Sequence, residues 1–515
     1  MAFQTVLLAA AVVAYLVVKY LNQTDIPKIK NLPEIPGVPL FGNLLQLGNS
    51  HARSCQKLAA KYGPVFQTRL GNRRFIYVNT FEAVKDLWVG HHQALISRPT
   101  TWTFHSVVST SQGPTLATSP WNESTKRVRK AASTAINRKS VQTYLPSIDL
   151  ECTIGIKEIL DASKSGDVDP IGYFQRFSLN MSLRVNYGFR LKGAVNDEKI
   201  REVVDVEREL GTLRGVAHCW QDYIPIMRLW PSYRKHASSL RQRRDDYLLE
   251  FYEELVRRIA EGTDVPSITG SVIKDPEAKL SENELKTVSL TMVAAGLDTL
   301  PSNINMTIAY LSCPHGQEIQ KRAYEELMRT YPDGDGWHAC LENETCEYLI
   351  ALVKETLRFW STINLSITRQ SVKDIEYKGV TFPAGTPFVM NNYAANHDWS
   401  QFKDPDTYNP ERYLGVPNVG IQQMSYGAGA RMCEGAHLAN RELYVIFARL
   451  ILGFHIRETS DIQSRPNLDP IDCNSLMTGM VTQPKPFKVK FVPRDEYQLQ
   501  KWITESKDRT VAFDI

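Results

Sequence analysis

The segment Ser425-Tyr-Gly-Ala-Gly-Ala-Arg-Met-Cys-Glu-Gly435 sets one thiol, Cys433, just ahead of a helix-forming run from Ala436 to Gly453. A thiolate at a helix start gains from the helix dipole and from free backbone N–H groups, so a metal-binding thiolate is the chemistry this position favours. Gly427 and Gly429 permit a sharp turn and a close backbone approach to a flat ligand. Arg431 can hold a carboxylate of such a ligand by charge-assisted hydrogen bonds. Three plainer readings compete. A lone Cys is more usually a buried structural thiol. The glycines resemble a dinucleotide fingerprint, but the third glycine is missing and no strand precedes them. A zinc site shared with His437 would need a second ligand pair, and none stands nearby.

Ala295-Gly-Leu-Asp-Thr299 lies in a long apolar run, 281–312, that Ser281 and Glu284 open as a capping box. Gly296 would thin that helix so that dioxygen could approach. Thr299 offers a hydroxyl that can bond back to a carbonyl, and Asp298 is a candidate proton gate. Pro301 has no N–H for the Leu297 carbonyl, which predicts a kink. The plain alternative is a helix with a tolerated Gly and an exposed Asp. Glu355-Thr-Leu-Arg358 puts opposite charges on one helix face, and Asn409-Pro-Glu-Arg-Tyr413 supplies Arg412 in a turn. On the surface such pairs mean little. Buried together, they would fix a neighbouring loop.

The elements that must position these residues are mostly helical. The run 241–261 reads as an amphipathic helix stopped by Gly262. Strand-like stretches are short: 75–78, 375–382 around a Lys-Gly turn, and 487–492. The fold class expected is mainly α with small β-sheets. The 515 residues exceed the usual single-domain size, but no linker composition or repeat follows residue 50. One large domain, 44–515, is therefore expected, and 43% hydrophobic residues can fill its core. Residues 1–21 hold the uninterrupted apolar run Val6 to Val18, followed by Lys19, Lys28 and Lys30. No basic residue precedes the run, so an uncleaved transmembrane anchor is expected, with the body in the cytosol. Residues 22–43 carry three closely spaced prolines and form a stiff, extended hinge. The net charge of +4 gives no reason to expect nucleic-acid binding. The 8 scattered cysteines lack paired C-x-x-C spacing and fit a reducing compartment.

In order, AGLDT, ETLR, PERY and YGAGARMCEG resemble the cytochrome P-450 family over nearly everything after the anchor. The resemblance implies haem held by Cys433 as axial ligand to its iron, and a monooxygenase that uses O2 and two electrons. It implies that Thr299 and Asp298 handle oxygen and protons, and that Glu355, Arg358 and Arg412 form a structural triad. Arg129, Arg369 and Arg431 fall where the family contacts haem propionates, and Tyr426 and Gly429 belong to the cofactor loop. Three residues depart from the family pattern: Tyr426 for Phe, Thr125 for a Trp that Trp121 could replace, and the acidic Glu434 beside the thiol. No flavin or nicotinamide segment is present, so electrons must come from NADPH through a separate cytochrome P-450 reductase. The basic cluster Lys126, Arg127, Arg129 and Lys130 would steer that partner.

TSPWNES, KRVRKAA, AGLDTLPSN and RMCEGAHLANREL are similar to fungal phenylacetate and hydroxyphenylacetate hydroxylases and to related cresol-type phenol hydroxylases, whose pathways are catabolic or biosynthetic. Thr101, Thr103, His105, Ser106, Asn303, Asn364 and Ser366 would suit a small polar aromatic substrate. No single Arg stands out as a carboxylate clamp. The implied location is the endoplasmic reticulum membrane. Two other classes remain: a haem-thiolate isomerase or dehydratase that needs no O2, and a non-catalytic haem-binding membrane protein.

Overall fold

The computed structural model describes the chain except Met1, Gln112, Pro114, 275–279, Asn418 and Ile515, and the side chains of 2–5 and 7–10. The helix Glu282–Ser312 runs through its centre, buried on nearly every side along most of its length. Its capping box forms: Ser281 Oγ accepts from the Glu284 N–H at 3.3 Å, and Glu284 Oε2 accepts from the Ser281 N–H at 2.8 Å. The helix packs most extensively along Ile171–Tyr187. Helices Leu145–Ser163, Glu347–Trp360 and Ala436–Gly453 complete the main core with it. The helix stays unbroken across Pro301.

The expected strand stretches are found, and Val65–Leu70, Arg369–Gln370, Pro387–Met390 and Phe454–Glu458 add strands the sequence did not predict. Strands Val65–Leu70, Arg73–Val78, Pro387–Met390 and Arg369–Gln370 form a four-stranded sheet in that spatial order. Arg369 pairs with Phe388 in this sheet, which fixes the base of its side chain. Ile375–Tyr377 and Val380–Phe382 form a hairpin whose turn residues, Lys378 and Gly379, both have positive φ, as a two-residue hairpin demands. Val489–Pro493 pairs with Phe454–Glu458. The helix ending at Glu261 starts earlier than the periodicity predicts, at Pro231 in its first turn, and stops at Gly262 with φ +69. Proline suits a first turn because its missing N–H would have no helical partner there.

The apolar N-terminal run forms a helix, Ala2–Leu21, and residues 11–20 are all exposed. Among the described residues no helix is long and apolar enough to cross a membrane. The expected bilayer span is not found among them; it includes Met1 and the side chains of 2–5 and 7–10, which lie outside the described residues. The proline-rich segment after it is docked onto the sheet. Gln67 bonds the main chain of Ile29 and Leu32, Asn43 that of Ile35 and Pro36, and Arg69 joins Leu21 to Val38. The loop Trp220–Pro231 is divided: Tyr223 and Ile224 are buried, whereas Ile226, Leu229 and Trp230 are exposed. At the other terminus, Glu496–Thr510 straps the helices together through Trp502 stacked on Trp337 and Arg509 bonded to Asp149.

Candidate functional site

Cys433 sits two residues before Gly435, the N-cap of Ala436–Gly453. Its N–H donates to the Tyr426 carbonyl at 2.9 Å, which closes the loop. The residue is exposed by surface area, yet protein crowds its thiol: burial pushes the pKa up, Glu434 adds to this, and the Gly435 N–H and Arg129 oppose it. A side chain both accessible and crowded lines an internal cleft. Ala295, also exposed, and Thr299, partly so, open one face of the otherwise buried central helix. Gly427 and Gly429 both have positive φ. A Cβ on Gly429 would lie 1.9 Å from the Trp88 carbonyl oxygen, so this glycine makes room for backbone as well as for the turn.

Three buried arginines surround the loop: Arg98, Arg369 and Arg431. Among the described residues none pairs with a carboxylate. Arg431 donates to the carbonyls of Ile96, Leu116 and Ser119, Arg369 to those of Leu95 and Ala428, and Arg98 to those of Ile367 and Thr368. Burial, and then repulsion from neighbouring arginines, Arg129 among them in each case, lowers all three pKa values, to about 9 for Arg369 and Arg431. Arg431 Nε, Arg98 Nε and Trp88 Nε1 have no partner. Buried cations held only by carbonyls require an anion. A flat cofactor with carboxylate arms and a metal for the thiol fits this donor set. Arg98 was invisible in the sequence, which gave it no motif.

Beneath the loop the triad is assembled. Glu355 and Arg358 are fully buried and joined twice, at 2.7 and 2.8 Å. Arg412 Nε adds bonds to both Glu355 oxygens at 3.1 Å. The arginines donate onward to the carbonyls of Asn396, Pro405 and Thr407. Asn396 carries the fixation to the Cys433 loop, accepting from the Met424 N–H at 2.7 Å and donating to Ser425 Oγ at 3.2 Å. No spacing rule pointed to Asn396.

On the central helix Thr299 Oγ1 donates to the Ala295 carbonyl at 3.0 Å, the back-bond expected of it. Asp298 is buried rather than exposed and accepts from Gln483 Nε2 at 2.8 Å. Burial, then the Glu207 charge, raises its pKa to about 7, against Arg214, Arg208 and the Gln483 bond. Asp298, Gln483 and Arg208 line a cavity of about 230 Å³ with Asn305 and Ser475. A Cβ on Gly296 would meet Ser182 Oγ at 2.7 Å, so the glycine also admits the neighbouring helix.

The family description Cytochrome P450 matches residues 32–491 of the chain. The chain belongs to this family. It is therefore an oxidoreductase, a haem-dependent monooxygenase. It is 53% identical over 514 residues, 99% of each chain, to a phenylacetate 2-hydroxylase of Emericella nidulans. It is 39% identical over 467 residues, 90% of this chain and 89% of the other, to a 3-hydroxyphenylacetate 6-hydroxylase of the same organism.

The departures from the P-450 pattern have local explanations. Thr125 Oγ1 donates to the Pro120 carbonyl at 2.7 Å, while the Arg431 guanidinium lies 5.7 Å over the Trp121 ring. The Tyr426 hydroxyl donates to Asn440 at 2.7 Å. Glu434 pairs with Arg129 and accepts from Ser133, so Arg129 is bound to a protein carboxylate. Arg127, exposed like Lys126 and Lys130, is bound to Glu284 at 2.6 Å. Of the polar pocket residues, Thr101 and His105 line one cleft, and Asn364 and Ser366 another. Asn303 donates to the Thr299 carbonyl, Thr103 bonds Asp222, and Ser106 is exposed.

Proposed function

We propose that this cytochrome P-450 hydroxylates a small aromatic substrate of the phenylacetate or phenol class with O2 and two electrons from NADPH, delivered by a separate reductase. The 53% identity across 99% of both chains with a phenylacetate 2-hydroxylase carries this reading. Cys433 would hold the haem iron through its thiolate, with Tyr426 and Gly429 shaping its loop. Arg369, Arg431 and Arg98 would hold the haem carboxylates, and Arg129 stands beside them paired with Glu434. Glu355, Arg358 and Arg412 fix the loop from below. Bound haem supplies the oxygen activation. Asp298, poised near neutral pH, takes protons from the polar cavity and passes them toward the cleft. Thr299 Oγ1 keeps a hydroxyl on the cleft side of the helix.

The domain at 44–515 stands behind the docked segment 22–43 and the N-terminal helix. The exposed apolar side chains among residues 11–20 support attachment to the endoplasmic reticulum membrane, with the body cytosolic. Ile226, Leu229 and Trp230 add a second apolar contact. Lys126 and Lys130 offer the reductase a basic face.

The full chain with reductase, NADPH and O2 should convert phenylacetate or simple phenols to hydroxylated products. Products that form without O2 would favour the isomerase or dehydratase class. A ferrous–CO spectrum lacking the red-shifted thiolate band would sink the Cys433 assignment.

A further inference from the structure

Arg214 follows the helix Glu198–Thr212, and its side chain is only 7% exposed. Its pairing is weak. Nη2 lies 3.5 Å from Glu207 Oε2, while Glu207 Oε1 already accepts the Tyr247 hydroxyl at 2.6 Å. Arg214 Nε has no partner. The guanidinium stands 5.0 Å over the Phe104 ring. Burial pushes the pKa of Arg214 down, with Glu207 opposing.

Its position gives this cation a use. Arg214 borders two clefts, one walled by Asn364, Ser366 and Thr478, the other by Arg98, His105 and Thr368. It lies within electrostatic reach of Asp298, and each shifts the other's proton affinity. The acid lining the second cleft, Asp222, already accepts from the Thr103 N–H and hydroxyl at 2.7 and 2.9 Å. A buried cation with one marginal partner is costly unless a ligand completes it. A guanidinium fork matches a carboxylate, and the ring beneath it matches an aromatic body.

We propose that Arg214 is a specificity-determining residue that binds the substrate's carboxylate, a reading that rests on the assignment of an arylacetate-class substrate. Glu207 holds Arg214 in place until the substrate arrives. A phenol would leave the Arg214 fork unused.

Calorimetric titration of the haem-loaded protein with phenylacetate and with neutral phenylacetamide tests this. The wild type should bind the acid at least about 30-fold tighter than the amide, the usual scale of a buried charge pair. Arg214→Gln should abolish that preference, weakening acid binding far more than amide binding. Arg214→Lys should restore part of it, and Glu207→Gln, which frees the fork, should tighten acid binding. These two variants carry the test should Arg214→Gln not fold. Equal binding of acid and amide by the wild type would overturn the proposal. So would equal weakening of both ligands in Arg214→Gln, or weaker acid binding in Glu207→Gln. A wild type that oxidises only phenols would overturn the arylacetate assignment along with it. A wild type that oxidises phenylacetate, with the acid preference intact in Arg214→Gln, would overturn the Arg214 assignment alone.

Discussion

Two groups of arginines flank the Cys433 loop, and they are built in opposite ways. Arg358 and Arg412 share the carboxylate of Glu355, and their remaining N–H groups reach carbonyls. Arg98, Arg369 and Arg431 have carbonyls only, and they repel one another. A buried ion network is stable only when each charge is matched. The first group is therefore finished structure, and the second is a receptor whose counter-ions arrive with the cofactor.

Breaking the finished group should cost most. Arg358→Ala leaves Glu355 buried without its main partner and should lower stability by about 3–5 kcal/mol, read as loss of folded, haem-loaded protein on thermal melting. A loss below about 1 kcal/mol would erase the contrast, since that is the scale of a surface pair.

Asp298 lies between the two extremes, an acid with a single amide partner. Its pKa is raised to about 7 in the folded chain, so the native state binds more protons than the unfolded state between about pH 4 and 7. Its contribution to stability therefore falls as pH rises through that window and stays low above it. Asp298→Asn should remove this fall and stabilise the protein at pH 8 on the order of 2–4 kcal/mol, with little change at pH 4. Turnover should slow at the same time, because an amide cannot relay protons. Equal melting curves at both pH values would mean the acid is not held protonated.

The receptor group should respond differently. Arg369→Gln or Arg431→Gln should change the stability of the haem-free chain by no more than about 1 kcal/mol, while haem release on dilution rises roughly tenfold or more. If the haem-free chain instead loses as much stability as in Arg358→Ala, the two groups are alike.

Thr299→Ala removes one back-bond and should alter stability by less than about 1 kcal/mol. Its effect belongs to the cleft: NADPH consumption should continue while peroxide replaces product. Unchanged coupling would make this turn purely structural. The smallest effect is expected at the surface. Reversing Lys126 and Lys130 to Glu should slow reductase-driven turnover several-fold at low salt and spare peroxide-driven turnover.

Much of this architecture was legible locally. The capping box at Ser281, the stop at Gly262, the Lys378-Gly379 turn and the helix start after Cys433 depend on residues within a few positions of one another. Local propensity and backbone sterics suffice for such features. The order of motifs was enough to bring Glu355, Arg358 and Arg412 forward together. The sequence could not say which arginines would meet a carboxylate. Arg129 and Glu434 are paired across the fold, and Arg98 joins Arg369 and Arg431 only because the loop around it folds back onto the strand at Arg369. Likewise Gly296 reads as thinness alone until Ser182 is seen against it, and Gln483 and Arg214 carry no motif at all. Charge pairing and burial are properties of positions in space. The tertiary structure alone decided which buried charges were matched and which were left for a ligand.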